Sequence, residues 1–256
     1  MNIYLLDITS IPEQGVSDYA SALDADRQAR IAEYKRSADK RRSFGAGMAL
    51  LYAWRQQYQE RIMPPVMRDG NGKPGFIGAD IPFCLSHSGN YAACVLGEEA
   101  ERAVGLDIQE PCRIRNGLAE RFFSEGENEQ LRAGGDPCLI WSRKESLAKY
   151  IGNGLRGDLR LLDTAGEPVS RSNGQSVDNE PDWQSCEPAG NVVGRRLCQT
   201  ADHMPHPWSC QTADGRAHIW SCQTFDGYAV SVCTEKAVEC CPMYLTWEQV
   251  KGILER

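Results

Sequence analysis

The sequence predicts a mixed protein of the α/β (α+β) class, with two successive αβ halves meeting near residue 102. Three observations predict it. Short apolar runs of strand length recur near residues 3–6, 83–96 and 103–108. Longer stretches at 24–58 and 139–150 carry apolar residues at three- and four-residue spacings, and clusters of glycine, asparagine and proline separate the two kinds of segment. At 256 residues the chain is one large domain or two modest ones, and its 41% apolar and 25% charged content is that of a globular protein.

Ile3-Tyr4-Leu5-Leu6 reads as a first strand: the start has no basic region, and its apolar run is too short for a signal peptide. Residues 24–58 read as helix, with Ala29, Ile31, Tyr34, Phe44, Met48, Leu51 and Trp54 on the apolar side, while Gly45 and Gly47 weaken its middle. The stretch Arg68 to Gly75 is a turn-rich loop, because Asn71-Gly72 favours positive φ and Pro74 blocks helix. Strands then flank the turn Ser86-His87-Ser88-Gly89, and the first half ends near residue 100.

A strand from Ala103 to Ile108 opens the second half. Ser124 and Glu127 have the spacing of a capping box and predict a helix over 126–133. Pro137 precedes a stronger helix, 139–150, which Gly152 and Gly154 end. Residues 159–162, 218–224 and 228–233 read as strands, and 247–254 as a final amphipathic helix. Residues 165–215, rich in Ser, Asn, Gly, Asp and Pro, are expected to be an extended loop or partly disordered insertion. Near its end Cys-Gln-Thr recurs with a period of 12, at Cys198, Cys210 and Cys222. Local duplication of a strand and turn is the simpler reading; a metal site from these cysteines with His203 and His206 has no recognised ligand spacing.

Charge and composition exclude several function classes. A net charge of −7 argues against general nucleic-acid binding, and no apolar run reaches the roughly 18 residues of a membrane span. Eleven cysteines, an odd number without a C-x-x-C pair, fit a reduced cytoplasmic protein better than a disulfide framework. Against the acidic balance, residues 27–42 hold seven basic side chains and two acidic ones. That run is either a solvated helix face or a surface for phosphate or an acidic partner.

Two stretches carry most of the chemistry. Val104 to Gln109 reads as a strand delivering the carboxylate of Asp107 at its end; Trp141 to Lys149 reads as a helix presenting Glu145 and Lys149 one turn apart. Alone, each has an ordinary structural explanation, a turn aspartate and an i, i+4 helix salt bridge. Together they could hold a hard cation beside a phosphate.

With Leu85-Ser86-His87-Ser88-Gly89, these stretches occur in the order and at about the spacing of the Sfp-type 4′-phosphopantetheinyl transferases, which the chain resembles over about residues 25–160. The resemblance implies two similar subdomains, 1–102 and 103–256, related by a pseudo-twofold axis with coenzyme A between them. It also implies a monomer that moves the phosphopantetheine arm of coenzyme A to a serine of an acyl or peptidyl carrier protein, with Mg²⁺. Asp107, Glu145 and Lys149 become the candidate catalytic residues, with Asp107 and Glu145 on the metal, Glu145 also the candidate base, and Lys149 on phosphate. Arg42, Lys73, Ser86 and His87 would line the nucleotide phosphates, and Lys35 would join them. At Gln109, the third metal position, the family often has an acidic residue; an amide offers one oxygen and no charge. A coenzyme A or carrier-protein binding module that has lost turnover therefore stays open as an alternative.

Overall fold

The computed structural model describes residues 1–59, 62–99, 101–111, 117–152, 154, 158–165, 208–211, 217–224 and 226–255, with the backbone alone for 208–211. In chain order the elements are β1 (Asn2–Asp7), α1 (Glu13–Tyr19), α2 (Ala25–Glu33), α3 (Ser37–Tyr58), β2 (Val66–Arg68), β3 (Pro74–Phe76), β4 (Phe83–Ser88) and β5 (Tyr91–Leu96). There follow β6 (Val104–Gln109), α4 (Leu118–Phe122), α5 (Glu125–Arg132), α6 (Pro137–Ile151), β7 (Trp208–Gln211), β8 (His218–Gln223), β9 (Ala229–Thr234), β10 (Cys241–Leu245) and α7 (Trp247–Lys251). The fold is thus mixed α/β.

Strand alternation builds the layers. In the first sheet, ordered β10-β1-β5-β4, Tyr4, Leu6, Ala92, Cys94 and Leu96 face α3, whose residues 43–54 are buried all round. Ile3, Leu5, Ala93 and Val95 face the other way, into a core shared with Val104, Leu106, Ile108, Trp220, Val230 and Val232 of the second sheet, ordered β6-β9-β8-β7. On the far side of the second sheet, Ile219 and Cys233 meet Leu147 of α6. Each sheet therefore has a long helix on its outer face and shares its inner one.

The two sheets meet where β4 runs beside β6. Cys84 Sγ contacts Leu106 O at 3.7 Å, Ser86 Oγ accepts from Ile108 N at 3.3 Å, and Ser88 Oγ accepts from Glu110 N at 3.0 Å. The partner numbers rise together, so the two strands run in the same direction. Side-chain hydroxyls, rather than a main-chain ladder, bridge the junction near both C-terminal strand ends.

Several expectations meet a different outcome. The helix over 24–58 is two helices: Tyr34 (ψ 133°) and Arg36 (ψ 134°) are extended, so α2 turns back to place Leu23 and Ile31 in the α3 core. Unbroken, it would run about 50 Å, well past the sheet it covers. Residues 159–161 form one 3-10 turn rather than a strand, because the carbonyls of Leu159 and Leu162 both accept from Lys144 Nζ. The tail expected within the second half joins the first: β10 pairs in parallel with β1, and Trp247 and Val250 enter the α3 core. Within the expected insertion, β7 pairs with β8; Cys198, His203 and His206 lie outside the described residues. The capping box at Ser124 and Glu127 forms as expected. No helix among the described residues is long and apolar enough to cross a membrane.

Candidate active site

The site begins with a close approach of backbone to backbone. On β6, Val104, Leu106 and Ile108 fill the inter-sheet core, so Gly105, Asp107 and Gln109 face α6. A Cβ on Gly105 would lie 2.0 Å from Ser146 O and 2.8 Å from Tyr150 N, so only glycine lets α6 settle directly onto the strand. Ser142 Oγ ties the two together by donating to Asp107 O at 3.3 Å. One consequence is positional: the face of α6 bearing Glu145 and Lys149 lies over Asp107.

Around Asp107, 3% exposed, a small polar network closes. Its Oδ1 accepts from Ser86 Oγ at 2.8 Å and from Lys149 Nζ at 2.7 Å. Lys149 Nζ also donates to Ser86 Oγ at 3.0 Å and lies 3.7 Å from Glu145 Oε2. Ser86 thus donates to Asp107 while accepting from Lys149 and from Ile108 N, which uses its whole hydrogen-bonding capacity. Among the described residues no N–H or hydroxyl donor reaches the buried Asp107 Oδ2.

The electrostatics follow from this crowding. Burial, then the repulsion of Asp107, pushes the Glu145 carboxyl up to about 7; Lys149 and a hydrogen bond from Trp141 pull it the other way. Burial works against the Lys149 ammonium, but its neighbours, Asp107 foremost, outweigh that and raise its pKa. Two carboxylates beside one ammonium, with one buried oxygen that no described N–H or hydroxyl donor reaches, leave room for more positive charge. Asp107 and Glu145, with the half-buried amide of Gln109 on the same strand face, are hard oxygen donors. Such a set suits a small hard divalent cation such as Mg²⁺. Among the described residues no group of three or more His, Cys, Asp or Glu could hold a metal by itself.

A cationic wall adjoins this cluster on the α3 side. His87 follows Phe83 and Leu85 on the face of β4 turned to α3. Its residue surface is largely exposed, yet partial desolvation of the ring, then the charges of Arg42, Lys149 and Arg27, hold its pKa below the ordinary value. Arg42 pairs with Asp39 at 2.6 Å and donates to Gly89 O at 3.3 Å.

Other expected residues sit differently. Lys73 Nζ donates to Lys149 O at 2.7 Å and Tyr150 O at 3.2 Å, so its ammonium caps the C-terminal end of α6, the favourable end for a cation. Burial lowers its pKa. Lys35 stands exposed at the bend between α2 and α3 and is not among the hydrogen-bonded residues of the cluster. Glu127 lies elsewhere, fully buried, 2.8 Å from Lys144 Nζ and accepting from Ser124 N, Thr164 N and Thr164 Oγ1. Sequence reasoning did not single out Arg27, a buried arginine near His87; only its place in the basic run hinted at it.

Residues 103–233, which include β6 and α6, match the family model of the 4′-phosphopantetheinyl transferase superfamily. The chain is 38% identical over 96 residues to the L-aminoadipate-semialdehyde dehydrogenase-phosphopantetheinyl transferase of Saccharomyces cerevisiae, covering 32% of this chain and 35% of that one. It is 28% identical over 197 residues to the 4′-phosphopantetheinyl transferase HetI of a Nostoc species, covering 71% and 81%. With the 4′-phosphopantetheinyl transferase AcpT of Escherichia coli it shares 31% identity over 130 residues, covering 48% and 64%. The matches therefore span from about a third to about four fifths of these relatives. On the family match, with Asp107, Glu145 and Lys149 gathered in one cluster, this chain belongs to the 4′-phosphopantetheinyl transferase superfamily.

Proposed function

We propose that the protein transfers the 4′-phosphopantetheine arm of coenzyme A to a serine of an apo acyl or peptidyl carrier protein, in the presence of Mg²⁺, and releases adenosine 3′,5′-bisphosphate. The observation that carries the reading is the cluster of Asp107, Glu145, Lys149 and Ser86, with a buried Asp107 Oδ2 that no described N–H or hydroxyl donor reaches. In this reaction the serine Oγ attacks the phosphorus nearest the arm, the bond from that phosphorus to the bridging pyrophosphate oxygen breaks, and the serine proton must leave. Positioning and charge neutralisation dominate such chemistry.

Lys149 neutralises pyrophosphate charge, and Arg42 and His87 offer further donors on the α3 side. Asp107 and Glu145 would hold the metal, which when bound supplies positive charge at the pyrophosphate and eases loss of the serine proton. Glu145, beside Asp107 and Lys149, takes that proton as the general base. Carrier proteins of this kind present an acidic helix, and exposed Lys35 and Arg36 with half-exposed Lys40 and Arg41 offer a basic face to steer it. The same reading takes the protein to be a monomer of the reducing cytoplasm.

Incubation with coenzyme A, Mg²⁺ and a panel of apo carrier proteins should add the mass of phosphopantetheine to at least one carrier. Asp107→Ala and Glu145→Ala should abolish the transfer while still unfolding cooperatively. Binding of coenzyme A with no transfer under varied metal would favour instead the non-catalytic module that the neutral Gln109 suggests.

A further inference from the structure

Tyr228 lies in none of the three motifs, yet its hydroxyl reaches from the β8–β9 turn to the β4–β5 turn, which follows His87 and Ser88. The phenol oxygen accepts from Asn90 N at 3.0 Å, and the ring stands edge-on to Tyr91 at 5.0 Å and 88°. Its own backbone is pinned: Tyr228 N donates to Thr224 Oγ1 at 2.9 Å, Thr224 N donates to Tyr228 O at 2.8 Å, and Thr224 Oγ1 donates to Asp226 Oδ1 at 2.6 Å. Thr224 thus holds the backbone of Tyr228 from both sides.

The turn is shaped to receive it. Gly89 has φ +48°, and a Cβ there would lie 2.2 Å from Tyr228 Oη and 2.4 Å from Glu110 Oε2. From the α3 side Arg42 donates to Gly89 O at 3.3 Å, while Ser88 Oγ accepts from Glu110 N at 3.0 Å. Three successive residues, Ser88, Gly89 and Asn90, are therefore each tied to an element outside their hairpin. Tyr228 is the tie made by a side chain of the second sheet.

We propose that Tyr228 is a positioning residue, whose hydroxyl fixes the β4–β5 turn so that His87 and Ser88 keep their place beside Lys149 and Asp107. The inference rests on the reading that this turn lines the phosphates of coenzyme A. A hydrogen bond that orients a phosphate-binding turn contributes to ground-state binding, so its loss raises KM and leaves turnover at saturation in place.

Tyr228→Phe keeps the ring and removes the bond. It should raise the KM for coenzyme A, and the Kd for adenosine 3′,5′-bisphosphate measured by calorimetry, about tenfold, with kcat within about twofold of the parent. A merely structural role would lower the unfolding midpoint without that split. Gly89→Ala gives a second handle: it should weaken nucleotide binding more in the parent than in the Tyr228→Phe background, where the nearest tyrosine atom recedes from 2.2 to 3.1 Å. Parent and Tyr228→Phe proteins binding the nucleotide equally would overturn the inference alone. A parent protein that binds neither coenzyme A nor adenosine 3′,5′-bisphosphate would overturn it together with the functional reading.

Discussion

Replacing Glu145 with glutamine should change how stability depends on pH, and the structure sets both the sign and the size. In the folded protein, burial and the nearby Asp107 carboxylate raise this carboxyl from 4.5 to about 7. Between those values the native state binds a proton that the unfolded chain has released, so the free energy of unfolding falls as pH rises. The contribution is fully present below about 4.5 and is lost as pH passes through about 7. At 1.36 kcal/mol per pH unit the swing is about 3 kcal/mol, an upper bound because 19% of the side chain is open to solvent. Urea denaturation at pH 4.5, 6 and 8 without divalent metal would measure it. Relative to Glu145→Gln, the parent protein should lose about 2–3 kcal/mol between the lowest and highest pH. Parallel pH profiles for the two proteins would refute the claim that burial and the repulsion of Asp107 raise the Glu145 carboxyl.

Two further predictions test how the site is held. Lys144→Met or Glu127→Gln should each cost about 3–5 kcal/mol, because either leaves its partner's charge buried at zero exposure; in a double-mutant cycle Lys144→Met with Glu127→Gln should cost less than the sum. Gly105→Ala should destabilise by about 3 kcal/mol and abolish transfer, since the added methyl would drive α6 off β6 and part Glu145 from Asp107; unchanged denaturation midpoint and activity would refute the packing argument.

Much of the architecture is legible in the chain because it is encoded locally. The strand pattern around Val104–Gln109, the Ser124–Glu127 capping box and the proline and glycine that bound α6 are short-range signals, and each forms as read. Elements missed or misread depend on partners far along the chain. Leu159–Leu162 has a strand's composition, but buried Lys144 takes its carbonyls. Strand β10 is half-exposed, carries Pro242, and exists through its pairing with β1, some 240 residues earlier. The bend at Tyr34–Arg36 answers to the width of a sheet that no local window of sequence contains.

The site divides in the same way. By itself the sequence determined which groups would do chemistry: a strand-end aspartate, a helical glutamate and lysine one turn apart, and a serine-histidine stretch, read as a turn but found as the end of strand β4, in an order that resembles one family. Only the tertiary structure decided how they are used. Close contact at Gly105 sets Glu145 and Lys149 over Asp107, Ser86 serves Asp107 and Lys149, and Lys73 caps the helix that carries Lys149. The physical reason is that spacing along a chain fixes the face of an element on which a side chain stands. Burial, charge and hydrogen-bond partners depend on what packs against that face.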